Sequence, residues 1–170
     1  MNDFDELSLT RAIIDRNILL MWAQFRLAVQ EHIDSYNKLK EGRQYPATVL
    51  PDEEEGTSMV IQQDLGMTRD EGHMQIVVLK ICLRQGLYQI KAEIERWLKI
   101  EGQPKRDGQI IAVTFTLKAS HATAMGFTAS EDKVWFESDA WKGEELSARQ
   151  AARKIVLRAF WHGEYEAQGI

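Results

Sequence analysis

The chain contains a single cysteine, Cys82, among its 170 residues. An intrachain disulfide is therefore excluded, and with it the class of small secreted domains that depend on a disulfide framework. Acidic residues outnumber basic ones, 26 against 21, for a net charge of −5. No basic stripe of the kind that marks nucleic-acid-binding proteins runs along the sequence. We therefore expect no nucleic-acid partner.

Long apolar runs are absent as well. No stretch of about 18 apolar residues is present that would span a bilayer. The first residues, MNDFDELSLTR, lack the basic and apolar segments of a Sec signal. We therefore expect no membrane partner, and a protein that is cytoplasmic or exported without a cleavable Sec signal. Neither a Walker loop nor a dinucleotide fingerprint is present, so no cofactor is predicted.

The composition is that of an average soluble protein, with 44% hydrophobic and 28% charged residues. A chain of this length buries about two thirds of the surface that its unfolded form exposes. We expect a single domain over residues 1–170, in which residues 41–72 form a long connecting segment. This segment contains two prolines and four glycines, and the pattern predicts at most a short strand at Ser58–Gln62. Its acidic cluster, Asp52–Glu55, is predicted to be a solvated turn.

A long helix is predicted from Leu9 to Lys40, because apolar residues recur at helical spacing and neither Gly nor Pro interrupts them. Ser8 is the predicted N-cap, and Gly42 follows the predicted end. More than one face of this helix is apolar. The helix must therefore pack under a sheet or against a second copy in a homodimer, and Trp22 and Phe25 are buried in both cases.

The middle of the chain supports two interpretations. Apolar and polar residues alternate from Val77 to Arg84, which predicts a strand, followed by a break at Gln85-Gly86. A helix is then predicted from Leu87, where apolar residues follow helical spacing. One continuous helix from Met74 to Ile100 is the alternative.

The last third predicts three strands and a helix. The β-branched segment at residues 109–120 is the first strand, and Ala122–Thr128 and Lys133–Glu137 follow, joined by a turn at residues 129–132. Glu144–His162 has the pattern of an amphipathic helix that ends near Gly163. The predicted fold class is α+β, an antiparallel sheet flanked by a long N-terminal helix, a middle helix and a C-terminal helix.

His121 and Asp139 are the strongest candidate site residues. A His that opens one strand and an Asp that closes its antiparallel neighbour lie side by side when the strands pair, since paired strands are about 4.8 Å apart. The carboxylate then orients the imidazole, which acts as general base for a nucleophile. Cys82, the single thiol, is the natural third member of this predicted triad.

The segment HATAMGFTASEDKVWFESDAWKGE resembles the His-to-Asp hairpin of papain-like cysteine peptidases and deamidases that bacterial pathogens use as effectors and toxins, the YopT-type and dermonecrotic-toxin-type domains. In that family a His heads an apolar strand, and the next strand ends in an aromatic residue, an Asp and a Gly-containing turn. The residues at matching places are His121, Trp135, Phe136, Asp139, Gly143 and Glu144. The resemblance covers about 27 residues, and it implies a cysteine hydrolase.

Two functions follow from these observations. In the first, a papain-like cysteine hydrolase acts on a peptide bond or a side-chain amide of a protein substrate, with Cys82 as nucleophile, His121 as base and then acid, and Asp139 orienting His121. No metal is required. In the alternative, the chain is a non-catalytic protein-binding module such as an adaptor, an immunity protein or a secretion chaperone. Its contact surface is then the long helix and the tryptophans, and Cys82 is a small core residue. A metal site at His162 with Glu164 and Glu166 is a much weaker candidate.

Overall fold

The computed structural model describes residues 3–51, 56–67, 73–123 and 130–160. The α+β class is confirmed, with a long N-terminal helix, a short second helix, a C-terminal helix and a curled antiparallel sheet. The helices are α1 (Asp3–Lys38), α2 (Lys40–Gln44) and α3 (Ala148–Phe160). The strands are β1 (Ala47–Val49), β2 (Ser58–Met67), β3 (Met74–Arg84), β4 (Gln89–Ile100), β5 (Gln103–Arg106), β6 (Ile111–Thr123) and β7 (Ser130–Ser138).

The described strands form one antiparallel sheet in the order β1-β2-β3-β4-β6-β7. β6 pairs with the first half of β4, and β5 pairs with its second half. Between β4 and β5 the chain reverses at Glu101-Gly102, where both residues have positive φ. Two consecutive positive φ angles are typical of a type I′ turn, whose twist matches that of the strands it joins.

The two faces of the sheet differ sharply in chemistry. We call the face that α1 and α3 cover the inner face. Its buried side chains are apolar: Met59, Ile61, Val77, Leu79, Ile81, Ile90, Ala92, Ile94, Val113, Phe115, Leu117 and Phe136. The opposite, outer face carries most of the charged side chains of the strands, including Lys80, Arg84, Lys91, Glu93, Lys118, Lys133 and Glu137. Such a one-sided pattern is characteristic of an antiparallel sheet with a single packed face.

The predicted N-terminal helix is present, and it packs on the sheet. α1 begins at Asp3, so that Ser8 lies inside the helix and is not its N-cap. Trp22 and Phe25 are buried, as predicted. At the other end the side-chain amide of Asn37 donates to the carbonyl oxygen of Ala47 at 2.8 Å and accepts from its N–H at 2.9 Å. These two hydrogen bonds attach the end of α1 to the edge strand β1.

The prediction of a long connecting segment at residues 41–72 is wrong. α2, β1 and a ten-residue β2 all lie within it, and β2 extends well beyond the predicted strand Ser58–Gln62. The Gly and Pro residues of this segment led to the prediction of a loop. Gly66, however, lies within β2, at a bulge where it has positive φ. The predicted turn Asp52–Glu55 lies outside the described residues.

The helix predicted from Leu87 is also wrong. A short 3-10 turn at Gln85–Leu87 leads into β4, which pairs with every residue of β3. Residues of β4 fit both periods, but Ile90, Ala92 and Ile94 alternate with charged residues, and all three are buried on the inner face. Hydrogen bonding to neighbours on both edges overrides the helical spacing.

The predicted junction at Ser120 is absent, because β6 continues through His121 to Thr123. Residues 130–132, predicted to form a turn, belong to β7. The connection between these strands falls at residues 124–129, outside the described part of the chain. The same holds for His162 and Gly163 at the predicted end of the last helix. Of the described helices, none combines the length and apolar character needed to cross a membrane.

Candidate functional site

Cys82 lies on the outer face of the sheet, near the end of β3. Its neighbours across the strands are Ser58 on β2 and Lys91 on β4. The thiol is partly exposed, so Cys82 is neither a buried core residue nor the first residue of a helix. Side chains alternate between the faces of a strand, and both Leu83 and Ile81 point to the inner side.

His121 lies on β6, opposite Asp132 of β7 and not opposite Asp139. Nδ1 of the imidazole is 2.7 Å from Oδ1 of Asp132. The guanidinium of Arg16, on α1, lies 3.5 Å from Oδ2 of the same carboxylate. His121 therefore faces α1 on the inner side, where a shallow cleft of about 420 Å³ separates it from Leu7 and Thr10.

Asp139 follows the end of β7, at the opposite end of the hairpin. Its carboxylate accepts hydrogen bonds from the backbone N–H of Thr114 at 3.1 Å and from the hydroxyl of Ser138 at 3.2 Å. Thr114 precedes His121 by seven residues on β6, which corresponds to about 23 Å at about 3.3 Å per residue. Asp139 thus connects the segment after β7 to Thr114 of β6 and does not orient His121.

The structure does not bring the predicted triad together. Cys82 and His121 lie on opposite faces of the sheet, and Asp139 is far from both. Cys82 is paired with Lys91 on β4, Lys91 is paired with Thr114 on β6, and the N–H of Thr114 donates to Asp139. These three steps of about 4.8 Å place Asp139 about 14 Å from Cys82. Covalent catalysis needs a nucleophile and a base within hydrogen-bond reach, and Cys82 and His121 do not meet this condition.

This geometry predicts that substitutions of His121 and of Asp139 have additive effects on the free energy of unfolding. We expect the changes in unfolding free energy of His121→Ala and Asp139→Ala to sum in the double variant within about 0.5 kcal/mol, since distant sites are independent. The matched pair His121→Ala and Asp132→Ala should instead show coupling, because those side chains are in contact. Urea denaturation of the single and double variants measures both cycles. Coupling above about 1 kcal/mol between positions 121 and 139 would contradict the register.

Sequence reasoning missed Asp132 as the partner of His121. The register of β6 and β7 decides that pairing, and the register depends on where the connecting turn lies. The Ala-Ser-Glu-Asp segment at residues 129–132 predicted the turn, but residues 130–132 belong to β7, and this places Asp132 opposite His121.

A stripe of apolar side chains is exposed on α1, on the side that faces away from the sheet. Leu19, Leu20 and Leu27 are exposed to 55%, 55% and 61%, and Ala23, between them, is also exposed. We call these four residues the outer stripe. Their spacing of three, four and seven residues places them on one side of the helix. Arg16 stands before the stripe, and Glu31 and Asp34 stand after it.

A groove of about 620 Å³ opens on the outer face of the sheet around Cys82. Leu50 and Val60 belong to its apolar wall, and Arg84 stands at its rim. It arises because two small side chains, Ser58 and Cys82, lie directly opposite each other among long ones. Sequence reasoning missed this groove, because its residues come from four separate segments.

The charges around the groove are mostly paired. Nζ of Lys91 lies 2.9 Å from Glu93, and Nζ of Lys80 lies 3.3 Å from Glu95. The pKa of Glu93 is lowered, first by the hydrogen bond from Lys91, against an opposing effect of burial, and also by the positive charges of Lys91, Lys80 and Arg84. Cations therefore dominate the local field, although the chain as a whole carries a charge of −5.

Within the described ranges, no cluster of three or more His, Cys, Asp or Glu side chains is arranged to hold a metal ion. The weaker candidate, His162 with Glu164 and Glu166, lies outside those ranges. Comparisons with protein-family models, with curated proteins and with solved structures give no match to this chain. The resemblance to papain-like effector domains therefore stays a prediction from residues 119–145.

Proposed function

We propose that the chain is a non-catalytic protein-binding module that docks through the outer stripe of α1, and that the occupant of this surface is a second copy of the chain. The observation that carries the proposal is the exposure of Leu19, Leu20 and Leu27 by more than half on a helix whose opposite side is already packed. Burial of leucine side chains stabilises an interface by about 1.5–3 kcal/mol per residue at most. The separation of Cys82 from His121 favours this proposal over a cysteine hydrolase.

The outer stripe is complementary to itself in an antiparallel arrangement. Ala23 lies at its centre, and Leu19 and Leu27 each lie four residues away. When two copies cross at Ala23, Leu19 of one copy therefore comes level with Leu27 of the other. The small side chain of Ala23 permits close approach of the helix axes, which is about 8–10 Å in packed helix pairs. A two-fold interface requires this kind of reciprocal match.

Charge placement supports the same orientation. Arg16 precedes the outer stripe, whereas Glu31 and Asp34 follow it. In the antiparallel crossing Arg16 approaches the acidic end of the second copy, and in a parallel crossing it would meet the second Arg16. The intrachain pairs of Arg16 with Asp132 and of Glu31 with Arg149 join exposed side chains. Such pairs contribute little, about 0–1 kcal/mol, and do not prevent exchange of partners.

Light scattering coupled to gel filtration tests this proposal. The wild-type chain is expected to elute with twice its mass of 19.6 kDa. Ala23→Glu places two like charges at the centre of the interface, where an unpaired buried charge costs about 3–5 kcal/mol, so the dissociation constant should rise by more than about 100-fold. The matched control Ser35→Glu adds the same charge at an exposed position of α1 outside the stripe and should remain a dimer.

A charge exchange tests the orientation. Arg16→Glu is expected to weaken the dimer, and addition of Glu31→Arg is expected to restore it. Arg16 lies seven residues before Ala23 and Glu31 eight residues after it, so the two positions come level only in the antiparallel crossing. A wild-type chain that stays monomeric at all concentrations would overturn the second copy as occupant. So would equal weakening by Ala23→Glu and Ser35→Glu, since the stripe would then have no special role.

A further inference from the structure

We infer that the groove around Cys82 binds a small amphipathic monocarboxylate, with its apolar body along Leu50 and Val60 and its carboxylate on Arg84. This inference goes beyond the proposed function and does not depend on it, because the groove lies on the outer face of the sheet and the outer stripe lies on the opposite side of the molecule.

The arrangement of the strands explains the groove. Ser58 and Cys82 face each other across β2 and β3, and Val60 and Lys80 form the next row. Leu50 continues the pairing of β1, since its N–H donates to the carbonyl oxygen of Val60 at 2.8 Å. The two small residues, with Arg84 on one side along the strands and Val60 and Lys80 on the other, leave a groove. Its volume of about 620 Å³ lies within the range of about 300–1,000 Å³ in which small molecules bind.

The wall of the groove favours a ligand with an apolar body. Leu50, Pro51 and Val60 line the groove together with Cys82, a partly exposed residue. A thiol behaves as a small apolar group when it makes no hydrogen bond. Apolar side chains that remain accessible on an otherwise charged sheet face lose water when an apolar ligand covers them, which favours binding.

The rim of the groove favours a ligand with one negative charge. Lys80 and Lys91 already form ion pairs with Glu95 and Glu93. Arg84 lines the same groove, and no carboxylate of the described residues lies within ion-pair distance of its guanidinium. A guanidinium binds a carboxylate with two parallel hydrogen bonds. Because both lysines are already paired with carboxylates, Arg84 is the cation that is left to bind one carboxylate of a ligand.

Cys82 makes the groove easy to probe, since it is the only thiol of the chain. The experiment follows alkylation of the folded protein by iodoacetamide, a neutral reagent, with decanoate added below its micelle concentration. Decanoate is expected to slow alkylation in a saturable manner, and decanol, which lacks the charge, is expected to protect only at about ten-fold higher concentration or more, since a hydrogen bond to a charged group is lost.

Two variants, each of which lacks one positive charge, show where the carboxylate of decanoate binds. Arg84→Gln should raise the decanoate concentration for half-protection by about ten-fold or more. The control Lys99→Gln removes an exposed charge at the far end of β4 and should leave that concentration unchanged. Calorimetric titration of Cys82→Ser with decanoate should give the wild-type affinity, because the thiol serves as reporter and makes no essential contact.

Three results would overturn the inference: no saturable protection and no binding heat with decanoate, equal protection by decanol, or equal effects of Arg84→Gln and Lys99→Gln. Ala23→Glu separates this inference from the proposed function. That variant should bind decanoate as the wild type does even though it no longer dimerises, and a loss of binding in it would contradict an independent groove.

Discussion

Phe115→Ala is expected to lower the free energy of unfolding by about 3–5 kcal/mol, the range for removal of a buried aromatic ring. The side chain is 0% exposed. Its ring centroid lies 5.8 Å from that of Phe25 on α1, 6.4 Å from that of Phe136 on β7 and 5.9 Å from that of Trp141, which follows β7. One ring therefore connects the helix, the sheet and the segment before α3, and its removal leaves a cavity that none of these can fill alone.

Urea denaturation monitored by circular dichroism measures this change. The matched control is Phe4→Ala, which removes the same atoms from a side chain that is 77% exposed, and it should alter the free energy by less than about 0.5 kcal/mol. Comparable losses for the two variants would show that Phe115 does not occupy the centre of the core.

Gly42→Ala is expected to destabilise the protein by about 1–3 kcal/mol or more, because overpacking against a rigid neighbour has a cost of this size. A Cβ at Gly42 would lie 1.9 Å from the carbonyl oxygen of Tyr36 and 2.9 Å from Cα of Asn37. Both are backbone atoms at the end of α1 and cannot move aside as a side chain would. The close approach of α2 to α1 therefore requires glycine at this position.

Gly86→Ala is the control for this prediction. Gly86 lies in the 3-10 turn between β3 and β4, and a Cβ there would meet nothing within 4 Å. The substitution reduces the freedom of the unfolded chain, so that stability should be unchanged or raised by up to about 1 kcal/mol. Thermal denaturation of both variants checks the contrast. A Gly42→Ala variant as stable as Gly86→Ala would show that α2 does not approach α1 so closely.

Elements whose pattern fits one period were predictable from the sequence alone. α1 follows the helical period without interruption by Gly or Pro, and α3 does the same over a shorter length. In β3 the alternation predicted the strand that the structure shows, although one continuous helix from Met74 to Ile100 was the alternative. In these segments local preference and tertiary packing agree, so the α+β class and the burial of Trp22 and Phe25 were accessible without coordinates.

β4 was not predictable in this way, because its residues satisfy both the helical and the strand period. Its state depends on β3 and on β6, which supply hydrogen-bond partners along both edges. Those neighbours are remote in sequence or follow later in the chain. No window of the sequence contains the interaction that decides between helix and strand.

The candidate sites depend on the same remote interactions. The sequence by itself determined that one thiol, one strand-borne His and a helix with more than one apolar face are present. Only the tertiary structure decided that the thiol of Cys82 and the ring of His121 lie on opposite faces, that Asp132 and not Asp139 meets His121, and that Ser58 lies opposite Cys82 to form a groove. The physical reason is the two-residue period of a strand: a shift of one residue in register moves every side chain to the other face, and register is a property of paired strands, not of either strand alone.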